Sequence, residues 1–387
     1  MPETIPDRDA ASAPRAATIA GAILIPQDRI ARQPLTPLAA ELTHRLQGIR
    51  RTVRGTHELS AQISRIGNVA GLIAASRGEM AVAWRLTERH LWWHGRQARR
   101  SGDATVTAHA LQPWVNLGRL ESLAGRCDEA LSRLQGLSSF PISDRLELGC
   151  VRLSGPAWKA LVPSRERFLE FLESIFVSDS LKAMLLNRRF DLVQPFAGRL
   201  PGEGELHWIG EEACVVAECR AGDCRAAATR ALAAAREARG WYRAVFRLRA
   251  AEAYTCAGEG TCAAGILTQM AGVVQQMSGK RKADPKLLPV TARLATACQE
   301  AGLAEFACLL ARDVLNAARA ARDEPIQIEM LRVLATTAPA AERQSWAQAA
   351  WTLAGDTEYA RYRRGGAPPA SAVVAELYRC LDEVFAN

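Results

Sequence analysis

Arg85, Arg89, Trp92, Arg96 and Arg99 recur at steps of four, three, four and three residues, a spacing that lines them along one face of a helix. Guanidinium groups grip phosphates and carboxylates in two-pronged fashion, and an aromatic ring among them offers a platform on which a base can stack. Such a face suits RNA or an acidic peptide. Between Arg85 and Arg100 five arginines stand against Glu88 alone. The same residues also suit an ordinary solvated face, in which arginine stems cover neighbouring apolar surface.

His90 and His94 lie on the same stretch, four residues apart, which can place two imidazoles on one metal ion. Glu88 does not fall between them, so the zinc-protease signature is missing, and no third ligand stands nearby; no metal is expected. Ten cysteines are scattered without a Cys-x2-Cys pair, and Cys214, Cys219 and Cys224, five apart, are expected to spread round a helix as small buried residues. No signal peptide precedes them, which points to a reducing cytoplasm. No phosphate-binding glycine loop, nucleophile elbow or kinase signature is present, so the residues name no reaction and no cofactor.

The chain of 387 residues carries a net charge of +8, a balance that favours an acidic partner, nucleic acid among them. No apolar run is long enough to span a membrane. Alanine, leucine, arginine and glutamate dominate and the β-branched alternation of a sheet is almost absent, so the expected fold class is all-α. Residues 1–37 mix proline, alanine, aspartate and arginine with little periodicity and read as an arm. Residues 38–137 and 206–387 show regular helical periodicity. Between them, residues 138–205 are broken by prolines into an irregular helical segment.

The helices are punctuated by a glycine with an alanine five places later: Gly78 with Ala83, Gly125 with Ala130, Gly222 with Ala227, Gly258 with Ala263, and Gly302 with Ala307. Glycine lets a helix end in the left-handed conformation, and alanine lets the next helix come close. Around one of these pairs, Trp114, Leu117, Gly118, Ala130 and Leu134 follow the pattern Trp-x2-Leu-Gly-x2-Tyr then Ala-x3-Phe, with Glu121 at the Tyr position and Leu134 at the Phe. The unit from Gln112 to Leu134 thus resembles a tetratricopeptide repeat. That resemblance implies helical hairpins stacked as an α-solenoid, closed after the last repeats by a capping helix that carries Val374, Leu377, Tyr378, Leu381 and Phe385.

The resemblance further implies a concave wall built from first-helix residues: Arg65 and Asn68; Gln112, Arg119 and Ser122; Glu212 and Arg220; Glu252; Thr296 and Gln299. These are mixed in sign and do not form the lysine and asparagine clamp that some members use for peptide carboxylates. The leading expectation is therefore a scaffold or regulatory module that binds a protein or peptide partner. The alternative is an RNA-binding protein, tRNA included, that uses the Arg85–Arg100 face; a transferase drawing on a charged tRNA falls within it.

Overall fold

The computed structural model describes residues 35–52, 56–101, 104–143, 145–149, 151–154, 158–159, 162–277, 287–356 and 372–386. Nearly all of the expected N-terminal arm lies outside these residues. The chain is mostly helical and divides into two compact units, one of residues 35–183 with 372–386 and the other of Met184–Asp356. No helix among the described residues is long and apolar enough to cross a membrane.

The first unit begins with α1 (Leu35–Thr52), α2 (Thr56–Ser76) and α3 (Met80–Ser101). It continues through α4 (Ala104–Ala108), α5 (Leu111–Leu123) and α6 (Cys127–Gln135), then a 3-10 turn (Gly136–Ser139) and α7 (Phe140–Ser143). A two-stranded antiparallel hairpin follows, β1 (Arg145–Leu148) with β2 (Val151–Ser154), and then α8 (Arg165–Leu186). The hairpin is a departure from an all-helical middle segment. Leu146, Leu148, Val151 and Leu153 alternate inward and are buried with Phe140, Trp158 and Phe168, while Arg145 and Glu147 face out. Four-residue strands carry too little periodicity to register above a helical background.

The last helix, α18 (Ala372–Ala386), belongs to this first unit. Val374, Leu377, Tyr378, Leu381 and Phe385 form its buried side, as the spacing implies. They pack against Leu42, Leu46 and Ile49 of α1 and against α2 and α3. Amphipathic spacing identifies an apolar stripe but carries no information about which stripe covers it.

The second unit contains α9 (Phe190–Ala197), α10 (Glu205–Ala221), α11 (Cys224–Glu237), α12 (Gly240–Cys256) and α13 (Gly260–Gln275). It ends with α14 (Leu288–Glu300), α15 (Ala304–Ala320), α16 (Glu324–Thr337) and α17 (Ala340–Asp356). Each helix packs on the next, and alternate helices also touch, α10 with α12, α12 with α14 and α14 with α16. Between α10, α11 and α12 the core is nearly pure alanine: Ala227, Ala228, Ala231, Ala250 and Ala253 surround Val215, all within a few percent of full burial. Methyl-sized side chains let helix axes approach closely, which explains why so alanine-rich a sequence still forms a core.

All five punctuating glycines have positive φ, from +76° to +98°, and all five alanines that follow them are fully buried. At Gly222 the amide bonds the Cys219 carbonyl at 3.2 Å and the Asp223 amide bonds that of Glu218 at 2.9 Å, so the last turn of α10 is satisfied before the chain reverses. Arg188 adopts the same conformation (φ +58°) between α8 and α9, with its amide on Leu185 and that of Arg189 on Met184. Val193, five residues on, is fully buried.

Candidate functional site

On α3 the basic face is engaged by α18. Arg89 donates to Asp382 at 2.8 Å and Arg85 stands 3.4 Å from the other oxygen of the same carboxylate. The Arg96 guanidinium donates to the main-chain carbonyls of Phe385 and Ala386, in the last turn of α18, where helical carbonyls have no intrahelical partner and the dipole favours a cation. Trp92, 55% accessible, and Arg99 remain exposed.

His90 and His94 do come together on this helix, with ring Nε2 atoms 3.0 Å apart, but they face inward and are fully buried. His94 Nδ1 lies 3.3 Å from the Ser60 hydroxyl, His109 packs 5.9 Å from the His94 ring, and Phe385 stacks on His90 at 5.3 Å. Burial, then the field of His109, lowers the His90 pKa to about 3; burial with its two histidine neighbours lowers that of His94 as well. Both rings are therefore neutral across the physiological range. Gly67 of α2 makes room for this arrangement, since a Cβ there would lie 2.9 Å from His90 Nδ1.

The first-helix positions form polar ladders within each unit. In the first, Asn116 of α5 reaches Asn68 of α2 at 3.4 Å and accepts from Gln112 and Arg119 at 3.2 and 3.3 Å. Arg119 also donates to Asp179 of α8 at 2.9 Å. Ser122 is buried beside them and Arg65 is exposed.

In the second unit, Glu212 of α10 is fully buried and accepts two hydrogen bonds, at 2.7 and 2.9 Å, from Arg249 of α12. Arg249 donates as well to Glu252 at 2.8 Å, and Glu252 accepts from Arg293 of α14, which pairs onward with Glu300 at 3.2 Å. Thr296 donates to Glu329 of α16 at 2.9 Å and Gln299 to Thr336 at 2.6 Å. Arg220 lies beside this row and donates to the Leu185 carbonyl at 3.4 Å.

Desolvation alone would push the Glu252 carboxyl upward, yet Arg293 and Arg249 outweigh it and hold the group below its ordinary range. Burial likewise works against the charge on Arg249, and Glu252 and Glu212 more than restore it. Both signs are thus kept charged in the interior by each other. Arg249, Arg293, Asn116 and Asp179 were not among the residues singled out from sequence. The one local clue was the i, i+3 pairing of Arg249 with Glu252, which on its own reads as surface.

The cysteines depart from the expected scatter. Cys219 in the last turn of α10 and Cys224 at the start of α11 meet across the Gly222 turn, their sulfurs 3.8 Å apart, and Cys256 at the end of α12 joins them. All three sulfurs lie within 4.8 Å of one another. The thiol of Cys224 also donates to the Cys219 carbonyl at 3.4 Å. Hydrogen bonds from Cys219, and less strongly from Cys224, outweigh desolvation and hold the Cys256 thiol down to about 7, while the bond to Cys256 and burial raise that of Cys219. Cys214, by contrast, stands apart and buried.

The fold and these faces define a mostly helical protein of successively packed helices whose first-helix polar residues bond from one helix to the next. Neither the protein-family models nor the curated protein sequences contain a match to this chain.

Proposed function

We propose that this chain is a tetratricopeptide-repeat-like α-solenoid of the cytoplasm that binds a protein or peptide partner along its first-helix faces, as a scaffold or regulatory module. The observation that supports this most is the ladder from Glu212 through Arg249, Glu252 and Arg293 to Glu300. It joins three successive first helices, so a partner meets a wall already fixed in one arrangement and little ordering entropy is lost on binding. Gln299, Thr336 and Glu300 form the accessible rim of that wall. Mixed charge there suits a polar peptide better than a polyanion.

RNA binding by the α3 face draws less support, because Arg85, Arg89 and Arg96 already serve α18.

The test is affinity capture with the full chain and with a Gln299→Arg/Thr336→Arg variant at moderate salt. Recovery of a defined protein by the parent chain and its loss with the variant is the expected outcome. Recovery of nucleic acid that salt removes, with protein recovery equal for both chains, would replace this reading by the RNA one.

A further inference from the structure

We propose that Cys219, Cys224 and Cys256 form a binding site for a thiophilic d10 metal ion, zinc or copper(I), which clips one helical hairpin to the helix that follows it.

The geometry carries the argument. Zinc–thiolate bonds of about 2.3 Å at tetrahedral angles set neighbouring sulfurs ~3.8 Å apart, and a trigonal arrangement sets them only slightly wider. Cys219 and Cys224 already stand at 3.8 Å, and the third sulfur lies within 4.8 Å of both. Closing on a common centre therefore needs the Cys256 sulfur to move by about an ångström at most, within the freedom of a cysteine rotamer. A disulfide needs two sulfurs at about 2.05 Å and leaves the third with no role; a cation uses all three.

The backbone fixes the ligands. Cys219 and Cys224 are locked on either side of the Gly222 turn, whose two main-chain hydrogen bonds set the distance between their Cα atoms. Cys256 ends α12, which packs on both α10 and α11. The three ligands thus come from three helices already held by the alanine core, and the site needs no folding step to assemble. Cys256 is exposed, which supplies a route of entry and room for water or a partner's donor in a fourth position.

Glu252 and Glu300 are near enough to Cys256 to act on its charge, but Arg249 and Arg293 pair with them and Arg220 acts on Cys219, so the thiol donor set and not the local field is what suits a metal. Three thiols and Zn2+ give a three-thiolate complex of charge −1 and three protons in solution; with copper(I) the complex carries −2 for the same three protons. Soft thiolate donors select zinc and copper(I) over magnesium, calcium or manganese.

The experiment uses the full chain, reduced and freed of metal by a chelator, and titrates it with Co2+ as an optical stand-in for zinc. One equivalent should produce thiolate-to-cobalt charge-transfer absorption that added Zn2+ abolishes, with proton release on binding. Cys256→Ser changes an exposed side chain, so the fold survives it. Affinity should nonetheless fall by more than the ~10-fold that loss of even an outer-shell partner costs. Cys262→Ser, at an exposed cysteine outside the cluster, should bind like the parent chain. Absence of the absorption, its persistence in Cys256→Ser, or a Cys219–Cys224 disulfide in the protein as isolated would each overturn the site.

Discussion

Arg89 of α3 and Asp382 of α18 are separated by 293 positions in the chain and joined by a 2.8 Å hydrogen bond. The pair marks where the last helix returns to the first ones, but burial does most of the holding. Both side chains are partly in solvent, at 48% and 28%, so reversing the charge with Asp382→Arg should cost only ~1 kcal/mol. Phe385, 3% exposed and stacked on His90, lies at the other extreme, and Phe385→Ala should cost ~3 kcal/mol. Urea unfolding of the two variants checks the order; an equal loss in both would make the ion pair the dominant contact.

The same contact surface should respond to acid. In the unfolded chain His90 and His94 take up protons near 6.5, whereas in the folded unit His90 stays neutral down to about 3 and His94 is lowered as well. The unfolded state therefore binds more protons at acid pH, and stability, complete above 6.5, is lost as pH falls below it toward 3. Thermal unfolding at pH 7.5, 6 and 5 should show this fall, and His90→Phe should make it shallower. A melting temperature flat from 7.5 to 5 in the parent chain would contradict the burial of these rings.

The glycine–alanine pairs were legible because both members act locally: one ends a helix, the other meets its neighbour five residues on. Gly125 and Gly222 lie 97 positions apart, and between them Arg188, 34 residues before Gly222, takes the conformation that glycine takes elsewhere. Its side chain hid the turn, since nothing in an arginine announces a positive φ. The hairpin at Arg145–Ser154, the return of α18 and the gathering of Cys256 with Cys219 were hidden for a different reason. Each depends on which distant surfaces meet, and periodicity describes one surface at a time.

Arg188→Gly should accordingly stabilise the second unit. An arginine in the left-handed region carries a steric cost of about 1–2 kcal/mol that glycine escapes, offset in part by the greater freedom of glycine in the unfolded chain. A net gain of roughly 0.5–1 kcal/mol is expected in denaturant unfolding. Gly222→Ala, at φ +98°, should lose stability by ~1 kcal/mol or more. Destabilisation by Arg188→Gly would mean that the side chain makes contacts worth more than its backbone strain.

The buried ladder sets the last test, because its members are not equivalent. Arg249→Met strips Glu212, fully buried, of both hydrogen bonds it accepts from that guanidinium, while Glu252 keeps Arg293. Losing a charge partner in the interior costs up to about 3–5 kcal/mol, because the remaining carboxylate keeps its desolvation cost with less positive charge opposite it. Glu252→Gln should cost less, since its neighbours retain Glu212 and Glu300. Replacing both members of the inner pair, Arg249→Met with Glu212→Leu, removes the two charges together and should recover part of the loss, since apolar side chains of similar volume carry no desolvation cost. The coupling energy from that double-mutant cycle should therefore be large and favourable. If the double variant were as unstable as the sum of the single ones, Glu212 and Arg249 would be acting independently, and the ladder would not be what keeps successive first helices in register.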